Sequence, residues 1–575
     1  MAINIVMPKL GLTMSEGTII KWHKNEGDMV KKGDSLFDVE TDKITNTIEA
    51  KEEGILAKIL IGNGKSALVT APVAILSDEG EDISSFVKEE KPLEKDIKVA
   101  VHQSETNEDG KKKVVVIGGG PGGYVAAIRA AQLGAQVTLV DKGSLGGTCL
   151  NVGCIPTKVL LHTAEIYQEV LHGKDIGIQI EGNVKVDWAS LQQRKENIIS
   201  HLVGGVTGLL AANGVEVVIG TASFIDRHQI KVTKEDGSSI TINGDDFIIA
   251  SGSEPFIPPI PGVELEGVLD STGALNLDAL PEDIIIVGGG VIGTEFATLF
   301  NSLGVKVTVV EMLPYILPPI DREVAAAVEE NMIGTGIDIF TSAKVTTIEK
   351  DGEKLKVSIS LDREDKVVKA DKVLMSVGRR GVTRGLNLEA VNIRLDRGAI
   401  YVDNGMRTNI EGIYAIGDVT GKNMLAHVAS DQGIVAAENI MGIDSAMKYD
   451  AIPACVYTKP EIASVGMTEE EAKKKGINYE VGIFPLVNNG KTLIMKEVEN
   501  TMIKIITDKK YDEIIGVHIY GPRATDLITE GTLALRLEAT VDELITTVHA
   551  HPTVGEAMKE AALAVKNIAI HAVNK

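Results

Sequence analysis

The sequence predicts an α/β protein: two parallel-sheet units of one kind, followed by an α+β domain and preceded by a small all-β head. Three observations predict it. A strand, glycine turn, helix and second strand occur twice, as KVVVIGGGPGGYVAAIRAAQLGAQVTLVDK and as DIIIVGGGVIGTEFATLFNSLGVKVTVVEM. Residues 1–77 break into short apolar segments between glycines, too interrupted for amphipathic helices. Residues 78–111 are charged and polar without an apolar period, which marks a flexible linker.

In the head, TIIKWH, MVKKG, SLFDVE, TNTIEA, ILAKIL and APVAIL read as strands of a curled antiparallel sheet, with Gly17, Gly27, Gly33, Gly54 and Gly62 at the turns. The polar turn VETDKIT carries Thr41, Asp42 and Lys43. After the linker, an apolar strand runs into Gly118, Gly120 and Gly123, then an alanine-rich helix and a strand ending in Asp141, 21 positions after Gly120. A lone glycine fingerprint is a weak signal. With its strand, helix and terminal acid it specifies a Rossmann-like unit, because each glycine has a geometric task and the helix N-terminus receives a pyrophosphate.

Residues from about 220 to 250 read as hairpins that end in the apolar strand FIIA, and ASGSEPFIPPIPG marks a boundary. The second unit repeats the fingerprint at Gly288, Gly290 and Gly293, with Glu311 again 21 positions after the middle glycine. Two complete fingerprints imply two dinucleotides. Hairpins recur through KVTTIEKDGEKLKVSISL, and GIYAIGDVTG is a strand capped by Gly417 and Asp418. The predicted order is a head over 1–77, a linker over 78–111, a first dinucleotide-binding domain over 112–262 completed by 381–450, a second over 263–380, and a last domain over 451–575. That last domain alternates as strands and closes with helices after Asp526 and after Pro552.

The 575 residues allow about three to five domains, and 44% apolar content excludes a disordered chain. A formal charge of -23 argues against a general nucleic-acid or anionic-membrane surface. No early run reaches the length of a membrane span, and Met1 to Gly11 lacks a secretory pattern, so a cytoplasmic location is expected. Three cysteines cannot staple a chain of this size.

Two of them, Cys149 and Cys154, lie in GGTCLNVGCIPTK, where two buried small side chains are the bland reading and a redox pair the chemical one. A regular helix would separate them by about 7.5 Å along its axis, too far for an unstrained disulfide. Gly153 and Pro156 permit a distorted first turn. A helix N-terminus and a cation such as Lys158 favour a thiolate.

A dithiol cannot pass its electrons to a nicotinamide directly, so a flavin between them makes chemical sense. FAD is therefore assigned to the first fingerprint, with Asp141 on the adenosine ribose, Lys158 near the isoalloxazine, and Asp418 at the ribitol or diphosphate. The second fingerprint takes the nicotinamide. Glu311 accepts from ribose hydroxyls and repels a 2′-phosphate, which favours NAD over NADP. Glu295, two residues after Gly293, can face the flavin side or simply favour the helix dipole. In HAHPTVGEAMKEA, His549 and His551 precede a helix with Glu556 five residues after His551. Such an imidazole can take a thiol proton while a carboxylate fixes its tautomer. Zinc lacks evident third and fourth ligands, so no metal is expected.

GGTCLNVGCIPTK, both fingerprints, GIYAIGDVTG and HAHPTVGE together resemble dihydrolipoamide dehydrogenases, the E3 components of 2-oxo acid and acetoin dehydrogenase complexes, over about residues 112–575. The resemblance implies a homodimer with FAD, NAD and C-terminal interface domains. It implies that Cys149 exchanges with lipoamide, Cys154 lies against the flavin, and Lys158 pairs with Glu295. It also implies that His551 is the base, held by Glu556 and contributed across the dimer. Asp141 stands where many relatives have glutamate, and GVTRG follows GRR in place of the commoner proline and asparagine pattern.

The head resembles the lipoyl domains of E2 components through MPKLGLTMSEGTI and VETDKIT, with Lys43 as the lipoate-bearing residue. Biotin is the nearest rival, but Asp42 and Ile44 flank Lys43 where biotin carriers have methionines. The expected partners are E2 lipoyl domains of a pyruvate or acetoin dehydrogenase complex. A reductase of another small disulfide and a noncatalytic docking subunit remain the alternatives; the second predicts neither flavin absorption nor NAD-dependent turnover.

Overall fold

A computed structural model describes residues 3–8, 16–40, 45–68, 71–77, 110–361, 364–496 and 500–574. The chain divides into two compact units, Met1–Thr106 and Asn107–Lys575. Lys43 and almost all of the expected linker lie outside the described residues.

The head is two four-stranded antiparallel sheets. One orders Ile3–Val6, Pro72–Ser77, Gly54–Ile59 and Met29–Val30; the other orders Thr45–Glu49, Ser35–Glu40, Glu16–Trp22 and Lys65–Leu68. Alternation along the strands puts Ile19, Phe37, Val39, Leu56 and Val73 inside. Trp22 packs on Phe37 with ring centroids 4.6 Å apart and donates its indole N–H to the Ile61 carbonyl at 2.9 Å. Gly27 and Gly33 take left-handed turns at φ +93° and +91°. Gly17 does not form a turn: it lies inside the strand Glu16–Trp22, paired with Ala67. The sequence reading missed the edge strands Ile3–Val6 and Lys65–Leu68, which are too short to show a period.

In the second unit, a five-stranded parallel sheet orders Glu216–Ile219, Gln136–Asp141, Lys113–Ile117, Asp246–Ile249 and Ile413–Ala415. Its last strand returns after the whole second nucleotide-binding region has intervened in the chain. That region has its own parallel sheet, in the order Val268–Leu269, Lys372–Met375, Asp283–Val287, Lys306–Val310 and Asp338–Phe340. The central strands Lys113–Ile117, Asp246–Ile249 and Asp283–Val287 read as near-continuous apolar runs because they are buried on both faces. The hairpin expectations become two three-stranded meanders, one over Thr221–Asp226, Gln229–Thr233 and Ser239–Asn243, the other over Ala343–Asp351, Lys354–Leu361 and Lys366–Ala370.

The C-terminal sheet is antiparallel, ordering Ala454–Val456, Glu461–Gly466, Ile514–Gly521, Met502–Asp508 and Tyr479–Pro485. Three helices follow it, Ala524–Arg536, Val541–Thr546 and Glu556–Val565, where the sequence reading expected two. The six-residue middle helix is too short for a period and is fixed by a capping box between Thr540 and Glu543.

One apolar core joins these parts. Leu160 and Ala164 of the helix Cys154–Leu171, and Trp188 and Leu191 of the helix Trp188–Ala212, pack with Ile284, Phe296 and Phe300 of the second nucleotide-binding region and with Val456, Ile462 and Tyr520 of the C-terminal sheet. The cysteine-bearing helix therefore starts where three domains meet.

Candidate redox site and cofactor cradles

The two cysteines do not share one helix. Gly146, at φ +89°, opens the short helix Gly147–Val152, and Gly153, at φ -144° and ψ -113°, separates it from the helix Cys154–Leu171. A Cβ on Gly153 would lie 2.8 Å from the Thr148 carbonyl oxygen, so the break needs glycine for space. Asn151 braces the loop by donating to the Leu145 and Gly147 carbonyls at 3.0 and 2.9 Å. This full break replaces the distorted turn expected from sequence and removes the axial offset that would have kept the sulfurs apart.

Cys149 is partly buried and Cys154 exposed, both as free thiols. Their side chains interact, which is the main cause that lowers Cys154 to about 7; partial desolvation of its sulfur opposes the shift and the Lys158 ammonium assists it. The same interaction, with burial, pushes Cys149 upward. Cys154 is also the first residue of its helix, where unpaired N–H groups favour negative charge.

Lys158 donates to both carboxylate oxygens of Glu295, at 2.9 and 2.7 Å. Glu295 is 5% exposed, in the helix Val291–Ser302 behind the second fingerprint. Tyr457, which the sequence reading missed, supplies a third donor to Glu295 from its backbone N–H at 3.0 Å and places its ring 4.5 Å from the Lys158 ammonium. No motif marks it, because only folding brings the C-terminal strand beside the cysteine helix.

The two glycine fingerprints repeat in detail. Gly118 and Gly288 are left-handed at φ +109° and +111°, and a Cβ would strike the Ala250 and Ser376 carbonyl oxygens at 2.2 and 2.5 Å. A Cβ on Gly123 or Gly293 would lie 1.8 or 1.9 Å from the carbonyl oxygen of Gly118 or Gly288. Gly290 faces open space, and Gly120 meets nothing closer than 3.8 Å. The helices that begin after Gly120 and Gly290 have no side-chain cap and no acid in the first turn. Open backbone and unpaired N–H groups at two long helices fit two pyrophosphates.

The terminal acids match too. Asp141 accepts from the Gly119 and Gly143 N–H groups at 2.6 and 2.7 Å, and Glu311 from those of Gly289 and Leu313 at 2.6 and 2.7 Å. Each carboxylate braces its own glycine loop while retaining lone pairs for a ribose hydroxyl.

Asp418, in the one-turn helix Gly417–Thr420, accepts from the Ser253 hydroxyl. Arg379 in turn donates to the Ser253 hydroxyl and carbonyl, both at 2.8 Å. Ser253 and Arg379 lie on paired strands that connect the two nucleotide-binding regions. The sequence reading noticed the GRR motif without assigning Arg379 a role.

His551 Nδ1 is 2.9 Å from Glu556, while its side chain is 80% exposed. Glu556 begins the last helix and takes a further bond from Asn489 at 3.4 Å. His549 is different: it is held between Glu530, at 2.8 Å, and the Thr547 carbonyl, at 3.2 Å. Within one chain, His551 bonds to Glu556 and not to either cysteine.

Two nucleotide cradles flanking a dithiol, with a lysine–glutamate pair between, define a flavin-linked disulfide oxidoreductase. The pyridine nucleotide-disulphide oxidoreductase model matches residues 112–433, its dimerisation-domain model matches 452–562, and the biotin-requiring enzyme (biotin/lipoyl) model matches 3–76. The chain belongs to the pyridine nucleotide-disulphide oxidoreductase family, as an FAD- and NAD-dependent redox enzyme with a dimerisation domain and a lipoyl-type head. It is 42% identical to a dihydrolipoamide dehydrogenase of Chaetomium thermophilum, over 80% of this chain and 92% of that one. It is also 42% identical to a dihydrolipoyl dehydrogenase of Geobacillus stearothermophilus, over 80% of this chain and 98% of that one. The crystal structure of LpdA from Mycobacterium tuberculosis superposes with a TM-score of 0.74 at 31% identity, covering 78% of this chain and 99% of that one.

Proposed function

We propose that the protein is a dihydrolipoamide dehydrogenase, which oxidises dihydrolipoyl groups to lipoyl groups through Cys149 and Cys154 and reduces NAD to NADH. The lipoyl-type head on the same chain as the dithiol site is the observation that carries lipoamide over another small disulfide. The relatives aligned along four-fifths of the chain support the same substrate.

In the oxidised enzyme Cys149 and Cys154 form a disulfide. A substrate thiol gives its proton to His551 and its sulfur attacks Cys149, so that a mixed disulfide forms and Cys154 leaves as thiolate. The second substrate sulfur attacks the first and closes the lipoyl ring; Cys149 leaves with the proton held by His551, and His551 then takes the proton of the second thiol, so a Cys149 thiol, a Cys154 thiolate and a protonated His551 result. Two electrons now rest on the cysteine pair. Carboxylates only accept, so Glu556 fixes the proton of neutral His551 on Nδ1 and leaves Nε2 as the basic atom. Lys158 and the helix N-terminus hold the charge on Cys154. Gly118, Gly120, Gly123, Asp141 and Asp418 would hold FAD and Gly288, Gly290, Gly293 and Glu311 would hold NAD; a bound flavin would supply the two-electron relay between the Cys154 thiolate and the nicotinamide.

Lys43 carries lipoate in this reading, and the enzyme acts as a homodimer on the lipoyl domains of an E2 acyltransferase in a 2-oxo acid or acetoin dehydrogenase complex. His551 serves the dithiol of the partner subunit, a reading supported by its exposure, its place in the dimerisation domain and its lack of a bond to its own cysteines. The reaction is cytoplasmic in this reading, supported by the acidic chain with three cysteines; among the described residues no helix is long and apolar enough to cross a membrane.

Steady-state assays of the flavin-loaded protein test the proposal. Dihydrolipoamide oxidation with NAD is expected; reduction of another small disulfide by NADPH, without dihydrolipoamide turnover, would overturn it.

A further inference from the structure

We infer that Tyr457 is a positioning residue for the redox site: from the C-terminal domain, its ring and backbone N–H hold the Lys158–Glu295 pair so that the ammonium stays within the field of Cys154. The inference rests on the reading of Cys154 as the charged member of the dithiol.

Glu295 is buried and accepts three hydrogen bonds, two from Lys158 and one from the Tyr457 backbone. The carboxylate is thereby fixed by an atom that no side-chain exchange removes. Lys158 meets three groups: the carboxylate, the face of the Tyr457 ring, and the Cys154 thiolate through space. Of these, Glu295 is the competitor, since its charge disfavours a thiolate on Cys154. The ring attracts the ammonium through its quadrupole without adding charge, so it holds the cation in place without working against the thiolate.

The ring is itself anchored. Its hydroxyl interacts with Thr525, which donates from its backbone and hydroxyl to Glu461 at 3.0 and 2.8 Å. Burial raises the Tyr457 hydroxyl, so the ring is neutral near pH 7. Cys455, two residues earlier, is pushed up to about 11 by burial and is likewise neutral. The Arg379 guanidinium, bonded to Ser253, also feels the charge of Cys154. Lys158 is thus the cation whose position depends on the C-terminal domain. Docking of that domain then tunes the thiolate as well as supplying the dimer contact.

The test uses flavin-loaded, full-length enzyme carrying Cys149→Ser, so that Cys154 is the sole thiol of the pair. Its long-wavelength charge-transfer band is followed against pH in this background and with Tyr457→Leu, Tyr457→Phe or Lys158→Met added. Retained FAD and dimeric elution select folded variants. Tyr457→Leu keeps the backbone bond and loses the ring, and is expected to raise the midpoint by about half a unit to one unit. Tyr457→Phe keeps the ring and is expected to restore the background midpoint. In Lys158→Met, adding Tyr457→Leu should shift nothing further. An unshifted Tyr457→Leu midpoint, or a full shift that persists without Lys158, would overturn the inference. An unshifted Lys158→Met midpoint would instead sink the underlying reading that Lys158 stabilises Cys154. Alkylation of Cys154 by iodoacetamide against pH, read by peptide mass, gives the same midpoint without the flavin signal.

Discussion

Glu311→Gln tests nucleotide choice most sharply. The carboxylate is 8% exposed and accepts from the Gly289 and Leu313 N–H groups at 2.6 and 2.7 Å. A glutamine has one acceptor oxygen, so its NH2 must face one of those donors and the glycine loop loses a charge-assisted bond. The ribose also loses a charged acceptor. A hydrogen bond to a charged group contributes about 1.5–3 kcal/mol, which predicts a rise of about 10- to 150-fold in the Kd for NADH. NADP gains in the same variant. A carboxylate about 4 Å from a unit charge, at an effective dielectric near 20, is opposed by about 4 kcal/mol, an upper bound that screening reduces. The ratio of kcat/KM for NADP to that for NAD should therefore rise about 100-fold or more. NADH binding by fluorescence and steady-state rates with both nucleotides measure the two effects. A ratio within about threefold of wild type, in a variant that retains FAD and dihydrolipoamide binding, would refute the role given to Glu311.

Cys149→Ser and Cys154→Ser should each abolish dihydrolipoamide turnover, but the charge-transfer band should survive in the first and vanish in the second; absorption spectra of the two variants decide the order of roles. Lys43 should carry lipoate when the protein is made in a lipoylating cell, which intact mass and peptide fragmentation read; biotin, or no adduct, would remove the carrier assignment. Lys504 is 1% exposed and bonded to Asp321 at 2.9 Å, Glu323 at 3.0 Å and Glu469 at 2.7 Å, tying the helix Arg322–Gly334 to the C-terminal sheet. Lys504→Met leaves Asp321 buried without its cation and should cost about 3–5 kcal/mol in urea unfolding at pH 7, against about 1–2 kcal/mol for a polar isostere such as Asp321→Asn combined with it. The carboxyl of Asp321 is pushed up by burial but lowered on balance by its surroundings, the Lys504 ammonium and the Glu469 backbone N–H among them, so its contribution is present above the unfolded pKa of about 4 and is lost as pH falls through the lower folded value. Lys504 is displaced the other way: burial lowers it, but its carboxylates raise it further, so its share is complete below about pH 10 and is lost as pH rises through the folded value.

What the sequence determined by itself was whatever rests on local geometry. Gly118, Gly123, Gly288 and Gly293 are legible because a Cβ at any of them collides with backbone, and the acids 21 positions after Gly120 and Gly290 are legible because a strand–helix–strand unit has a fixed length. The cysteine pair, the histidine loop and the twofold repeat of the nucleotide-binding unit belong to the same class. Short elements escaped: the edge strands of the head and the helix Val541–Thr546 offer too few residues for a period.

Tertiary structure decided everything that depends on distant parts of the chain meeting. The Lys158–Glu295 bond spans 137 residues, the Tyr457–Glu295 bond 162, and the strand Ile413–Ala415 closes a sheet begun at Lys113. It also separated His549, already bound to Glu530, from His551, which bonds Glu556 and stays 80% exposed, although the two histidines are only two positions apart in sequence. The physical reason is that hydrogen bonds and ion pairs are short-ranged, so sequence spacing reports them only within one element; across elements, packing of the shared core sets which donors and acceptors come within reach.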